Sequence, residues 1–267
     1  MSARPARTRG LLDGFALVVA AGLLGAPTAT LRAERPAAPQ PSLAAARYVP
    51  ADTGGLAMLP LVEVRARTAG APRAVAVLLT GDGDWAALVR GVASTLADSG
   101  VGVVGIEARR YLSSGTRTAA STAQDVARIA RTYLARWGAG RVAIVGYSRG
   151  ADLAPFVVAD LPQDVRRRVG VVAMLGLSRR ASFTFHWSDL LSDRARPDDL
   201  LVPPALERLR GTRLVCVYGQ DEDDSACRDA DPTLVERVGR PGAHHFDGDH
   251  AALARVVLDA LDPTPAR

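Results

Sequence analysis

A serine sits between two glycines in Gly146-Tyr147-Ser148-Arg149-Gly150. The apolar run "RVAIVGY" (141–147) leads into it, and the helix-like "RGADLAPFVVADL" (149–161) follows at once. The spacing is G-x-S-x-G, which on a strand–turn–helix is the elbow that presents a nucleophile. A serine there occupies strained backbone, and the chain passes close on both sides, so side chains at 146 and 150 would clash. The chemistry open to Ser148 is attack on a carbonyl. The competing possibility is a tight turn with no chemistry.

A serine nucleophile needs a base. The chain has four histidines: His186, His244, His245 and His250. The elbow implies the chain order serine, acid, histidine, with the base on the loop after the last strand. The loop "GRPGAHHFDGDH" qualifies. His245 is the preferred base because Phe246 follows it as an apolar anchor; His244 is the alternative. His186 lies too early, and His250 falls in a helical turn. The acid belongs after "TRLVCVYG" (212–219), where Asp221, Glu222, Asp223 and Asp224 cluster. Glu222, three residues past the glycine, is preferred, with Asp221 or Asp224 as alternatives. The amides of Arg149 and Asp82 are the expected oxyanion donors, with Gly83 the alternative to Asp82. Asp84, Trp85 and Asp249 are expected on the substrate side, on segments that gather near the site. No cofactor is expected, and no histidine–carboxylate spacing demands a metal.

The elements that must position these groups alternate. Strand patterns fall at 56–67, 73–81, 101–108, 141–147, 168–177, 212–219 and 233–240. Helical patterns fall at 85–100, 118–138, 149–161 and 249–261. Such alternation predicts an α/β fold with a mostly parallel sheet and helices on both faces. No insert is long enough to read as a lid.

The chain has 267 residues with a formal charge of +5, and all its basic residues are arginine. Residues 1–33 hold +3 of that charge, and there is no basic stripe with interleaved aromatics, so nucleic-acid binding is not expected. "MSARPARTRG" followed by "FALVVAAGLLGA" (15–26) reads as a secretory signal, cleaved between 26 and 33, or as an uncleaved N-terminal anchor. Residues 34–52, rich in Pro and Ala, read as a linker, and 53–267 as one domain. In an exported protein Cys216 and Cys227 can pair and pin the acidic loop between them.

Taken in order, "LLTGDGDW", "YLSSGTRT", "VGYSRGAD", "FTFHWSDLL", "VYGQDEDDSAC" and "GAHHFDGDH" resemble the VirJ/AcvB family of exported bacterial α/β-hydrolases. The resemblance spans about residues 72–262, in a single copy as in VirJ-type members. It implies a periplasmic serine hydrolase cleaving the lysyl ester of phosphatidylglycerol, an aminoacylated phospholipid at the membrane surface. It also links the family to virulence and to secretion-system proteins as possible partners. This chain departs from the family at Asp84, where Gly is common, at Arg149, where Phe is frequent, and near His250, where members have a Tyr-like residue. A generic carboxylesterase or thioesterase, or a non-catalytic secretion partner built on a hydrolase shell, are the alternatives.

Overall fold

A computed structural model describes residues 47–48, 55–186 and 195–262. The expected signal and nearly all of the linker lie outside the described residues. Eight strands form one sheet: β1 (Arg47–Tyr48), β2 (Leu61–Val64), β3 (Ala74–Leu79), β4 (Val101–Ile106), β5 (Val142–Tyr147), β6 (Val169–Leu175), β9 (Leu214–Gly219) and β10 (Glu236–Arg240). A separate two-residue ribbon pairs β7 (Arg180–Ala181) with β8 (Leu200–Leu201). The sheet order is β1-β2-β4-β3-β5-β6-β9-β10. Pairings that involve β2 are antiparallel and the rest are parallel.

Strands β3, β4 and β5 are buried along their whole length, which is why they read as continuous apolar runs rather than alternating ones. Val75, Val77 and Leu79 face one core with α3 (Ala119–Trp137) and α4 (Arg149–Ala159). Ala74, Ala76 and Leu78 face the other, with α1 (Ala87–Asp98) and α8 (His250–Leu261). The long helix α3 begins at a Thr118–Ser121 capping box and stops at Gly138, whose left-handed φ of 72° lets its amide reach the Leu134 carbonyl. Short helices α2 (Ala108–Ser113), α5 (Gln163–Arg166), α6 (Val202–Glu207) and α7 (Ala226–Asp229) and a 3-10 turn (Phe246–Gly248) are the remaining helical elements of the described residues.

The expected strand 56–67 is shorter than its apolar pattern. Leu59 turns back to the Leu56 carbonyl, and pairing begins only at Leu61. Pro60 has no amide for a ladder, but its carbonyl accepts from Glu107. The expected strand 233–240 likewise starts at Glu236, because Asp231 engages the amide and hydroxyl of Thr233 in a local turn.

Candidate active site

The serine stands where β5 gives way to α4. Its backbone holds φ 53° and ψ −125°, strained for a residue with a side chain. The surroundings impose the strain. A Cβ on Gly146 would lie 2.3 Å from the Gly150 carbonyl oxygen, and one on Gly150 would lie 2.1 Å from that of Leu79. The first turn of α4 is thus pressed backbone to backbone against β3. Gly81 also lies close to Ser148, since a Cβ there would come 2.9 Å from the serine Cβ.

Ser148 Oγ is 2.9 Å from His244 Nε2, and His244 Nδ1 is 2.6 Å from Glu222 Oε1. The Gly219 amide donates to the other Glu222 oxygen at 3.4 Å. The acid expected from spacing is therefore in place. The expected base is one residue off: His244, not His245, faces the serine. The base loop rests on Gly219, where a Cβ would collide with the Ala243 carbonyl oxygen at 2.3 Å. From that rest the His244 ring lies across Gly176, which has φ 70° and no side chain to block it. The next residue must turn away. His245 is exposed and its Nδ1 meets the Tyr147 hydroxyl at 2.7 Å. Phe246 is buried as expected, but with φ 51° it anchors the loop two residues beyond the base.

Electrostatics follow the same chain. Burial works against the Glu222 charge, but the bond to His244 and the Gly219 amide outweigh it and hold the carboxyl below its usual range. That bond in turn raises His244 against its own burial, with Glu222, Asp152 and Asp224 adding to the rise. Asp152 lies on α4 and accepts the Ser178 amide at 2.7 Å. Burial pushes its carboxyl up to about 7, opposed by that amide and by Arg149.

A cavity of about 630 Å³ opens above Ser148 and His244. Asp82 and Arg149 flank the serine in its wall, and Asp152, Asp221, Asp223 and Asp224 line it. Arg179, Arg180, Ser182, Arg196 and Asp199 bring the segment after β6 to its rim. No signal in the sequence marks that segment as a cavity wall.

The three expected substrate-side residues lie elsewhere. Asp84 is buried, accepting the amide of Arg109 at 3.0 Å and its Nε at 3.1 Å. Trp85 packs over Gly105, where a Cβ would touch its ring at 2.2 Å. Asp249 caps α8 by accepting the Ala252 amide. All three are engaged within the fold, and none lines the cavity. His250 opens α8, its ring over Gly91.

Cys216 and Cys227 form the expected disulfide, with 5.5 Å between their Cα atoms. It ties β9 to α7 and closes the loop that carries Glu222. Among the described residues no His/Cys/Asp/Glu cluster is arranged to hold a metal ion, and no helix is long and apolar enough to cross a membrane.

Solved structures share this architecture. Est1E from Butyrivibrio proteoclasticus superposes with a TM-score of 0.55 at 12% identity, covering 81% of this chain and 99% of its own. The thioesterase domain from the curacin biosynthetic pathway gives 0.52 at 15% identity, covering 80% and 98%. An α/β serine hydrolase without a lid from Xanthomonas campestris gives 0.51 at 13%, covering 78% and 91%. At such identities the likeness establishes the α/β-hydrolase fold. No curated protein matches the sequence. The family model described as bacterial virulence protein (VirJ) matches residues 73–264, and the chain belongs to that family.

Proposed function

We propose that the protein is a periplasmic serine hydrolase that removes an aminoacyl group, lysyl in the first instance, from phosphatidylglycerol at the membrane surface. The observation that carries the hydrolase reading is the unbroken relay Ser148–His244–Glu222 at the floor of an open cavity.

Ser148 Oγ attacks the ester carbonyl while His244 Nε2 takes its proton. Glu222 holds the imidazole with Nδ1 protonated and stabilises the imidazolium. The amides of Asp82 and Arg149 hold the tetrahedral oxyanion, the second at the positive end of α4. Collapse breaks the ester C–O bond, and His244 returns the proton to the departing lipid hydroxyl. A water then gives its proton to His244 and attacks the acyl-enzyme. The second collapse restores Ser148 and frees the amino acid.

Lining chemistry supports a charged acyl group. Among the described residues, the apolar side chains in the cavity wall are those of Ala181, Ala195 and Ala243, which offer little to a fatty acyl chain. Asp221, Asp223 and Asp224 offer carboxylates to the ammonium groups of a lysyl ester, on a wall that also carries Arg179, Arg180 and Arg196. The disulfide supports an oxidising compartment.

The test is release of free lysine from lysyl-phosphatidylglycerol vesicles by the purified protein, beside Ser148→Ala. Release by the wild type alone is expected. Faster cleavage of neutral acyl esters than of lysyl esters would replace the substrate with a generic one. Absence of all ester cleavage would overturn the hydrolase reading.

A further inference from the structure

Two residues whose backbone amides are the proposed oxyanion donors also grip each other by their side chains. Arg149 Nε donates to Asp82 Oδ1 at 2.6 Å, and Arg149 Nη2 donates to Asp82 Oδ2 at 3.1 Å. This is the two-point fork of guanidinium on carboxylate, which sets orientation as well as distance. Arg149 is 12% and Asp82 27% exposed on their side chains, so the pair is partly withdrawn from solvent.

We infer that the Asp82–Arg149 pair is a positioning lock for the oxyanion hole, fixing the separation of the two amides that receive the oxyanion. The inference rests on the hydrolase reading above. Three observations lead to it. The two amides come from different segments, the turn after β3 and the first residue of α4, so no covalent geometry sets their spacing. That turn is strained, because Asp84 sits at φ 49° without being a glycine. It is also held from both sides. Asp82 reaches to Arg149 on α4, and Asp84 reaches the opposite way to Arg109 on α2. The contact of Gly81 with Ser148 closes the inner side of the turn. The Asp82–Arg149 fork closes the outer side, where the cavity begins.

An oxyanion hole works by pre-orientation, and a shift of about 1 Å in such a group costs on the order of 10²-fold in rate. The test uses Asp82→Ala, Arg149→Ala and the double variant. All three keep both backbone amides and remove the side-chain fork, and Asp82→Ala does so while leaving the Arg149 side chain in place. Each single variant is expected to lower kcat on a soluble aminoacyl p-nitrophenyl ester by about 10²-fold, with KM within about threefold. The double variant is expected to be no worse than either single, because one unit is broken in every case. Affinity for a boronic-acid transition-state mimic should fall in parallel with kcat, while affinity for the free amino acid product holds. A merely structural role would move neither ratio, and thermal midpoints confirm that the variants are folded. Additive losses, losses confined to KM, or unchanged kcat in folded variants would overturn the lock while leaving wild-type hydrolysis intact. A wild type that neither cleaves the ester nor reacts at Ser148 with a fluorophosphonate would instead overturn the hydrolase reading, and the lock with it.

Discussion

Tyr147 and His245 are joined by a 2.7 Å contact that runs beside the contact of their neighbours, Ser148 and His244, at 2.9 Å. Two consecutive residues at the end of β5 thus meet two consecutive residues of the base loop. One contact is chemical and the other holds the loop. Removing the imidazole of His244 should lower kcat/KM by about 10³-fold or more, because a triad without its base retains only binding and the oxyanion hole. His245→Ala should cost within about tenfold. Parallel kinetics of the two variants check the assignment, and equal losses would return the base role to doubt between them.

The pH dependence has a definite sign. His244 must be neutral to accept the serine proton, and its pKa is raised above the ordinary 6.5, chiefly by Glu222. Activity should therefore climb with pH through that raised value. In Glu222→Gln the leading cause is gone, so the limb should move to lower pH while the maximal rate drops by about 10⁴-fold. A kcat/KM profile of both proteins measures this. Stability runs the other way for the imidazole. Its contribution is full below the unfolded value and is lost as pH rises through the folded one.

Asp152 gives a second pH signature. Its folded pKa, about 7, lies above the unfolded 3.8, so the native state binds the extra proton between these values. Stability should fall as pH rises from about 4 to about 7. Asp152→Asn keeps an oxygen for the Ser178 amide and should flatten that fall. Urea midpoints across the range test it, and an unchanged slope would mean that Asp152 ionises freely in the native protein.

Breaking the Cys216–Cys227 bond with a double alanine variant should lower stability by about 3 kcal/mol, by releasing the short loop in the unfolded chain. Because that loop carries Glu222, the acid limb of the activity profile should also broaden or shift. Chemical denaturation and the kcat/KM profile of the variant report the two effects separately.

Much of this molecule was legible in the linear chain. Period and apolar runs placed β3 to β6, β9 and the long helices, because a sheet buried on both faces demands continuous apolar strands. The glycines around Ser148 were legible because only glycine survives backbone approaches near 2 Å. Glu222 could be chosen by its distance from a strand end, since a tight turn leaves few directions for a carboxylate. The chain alone favoured His245 as the base, and the structure gives the role to His244. Adjacent loop residues point in unrelated directions, and the outcome depends on where the Ala243 carbonyl rests on Gly219, a contact between segments 24 residues apart. Asp84 and Trp85 looked available for substrate because their nearness in sequence to the site was visible while their distant partners Arg109 and Gly105 were not. Asp249 instead caps α8 at the Ala252 amide, three residues on, a role its place before that helix already offered. The Asp82–Arg149 fork spans 67 residues. Only the packing of α4 against β3 decided that those two side chains would meet.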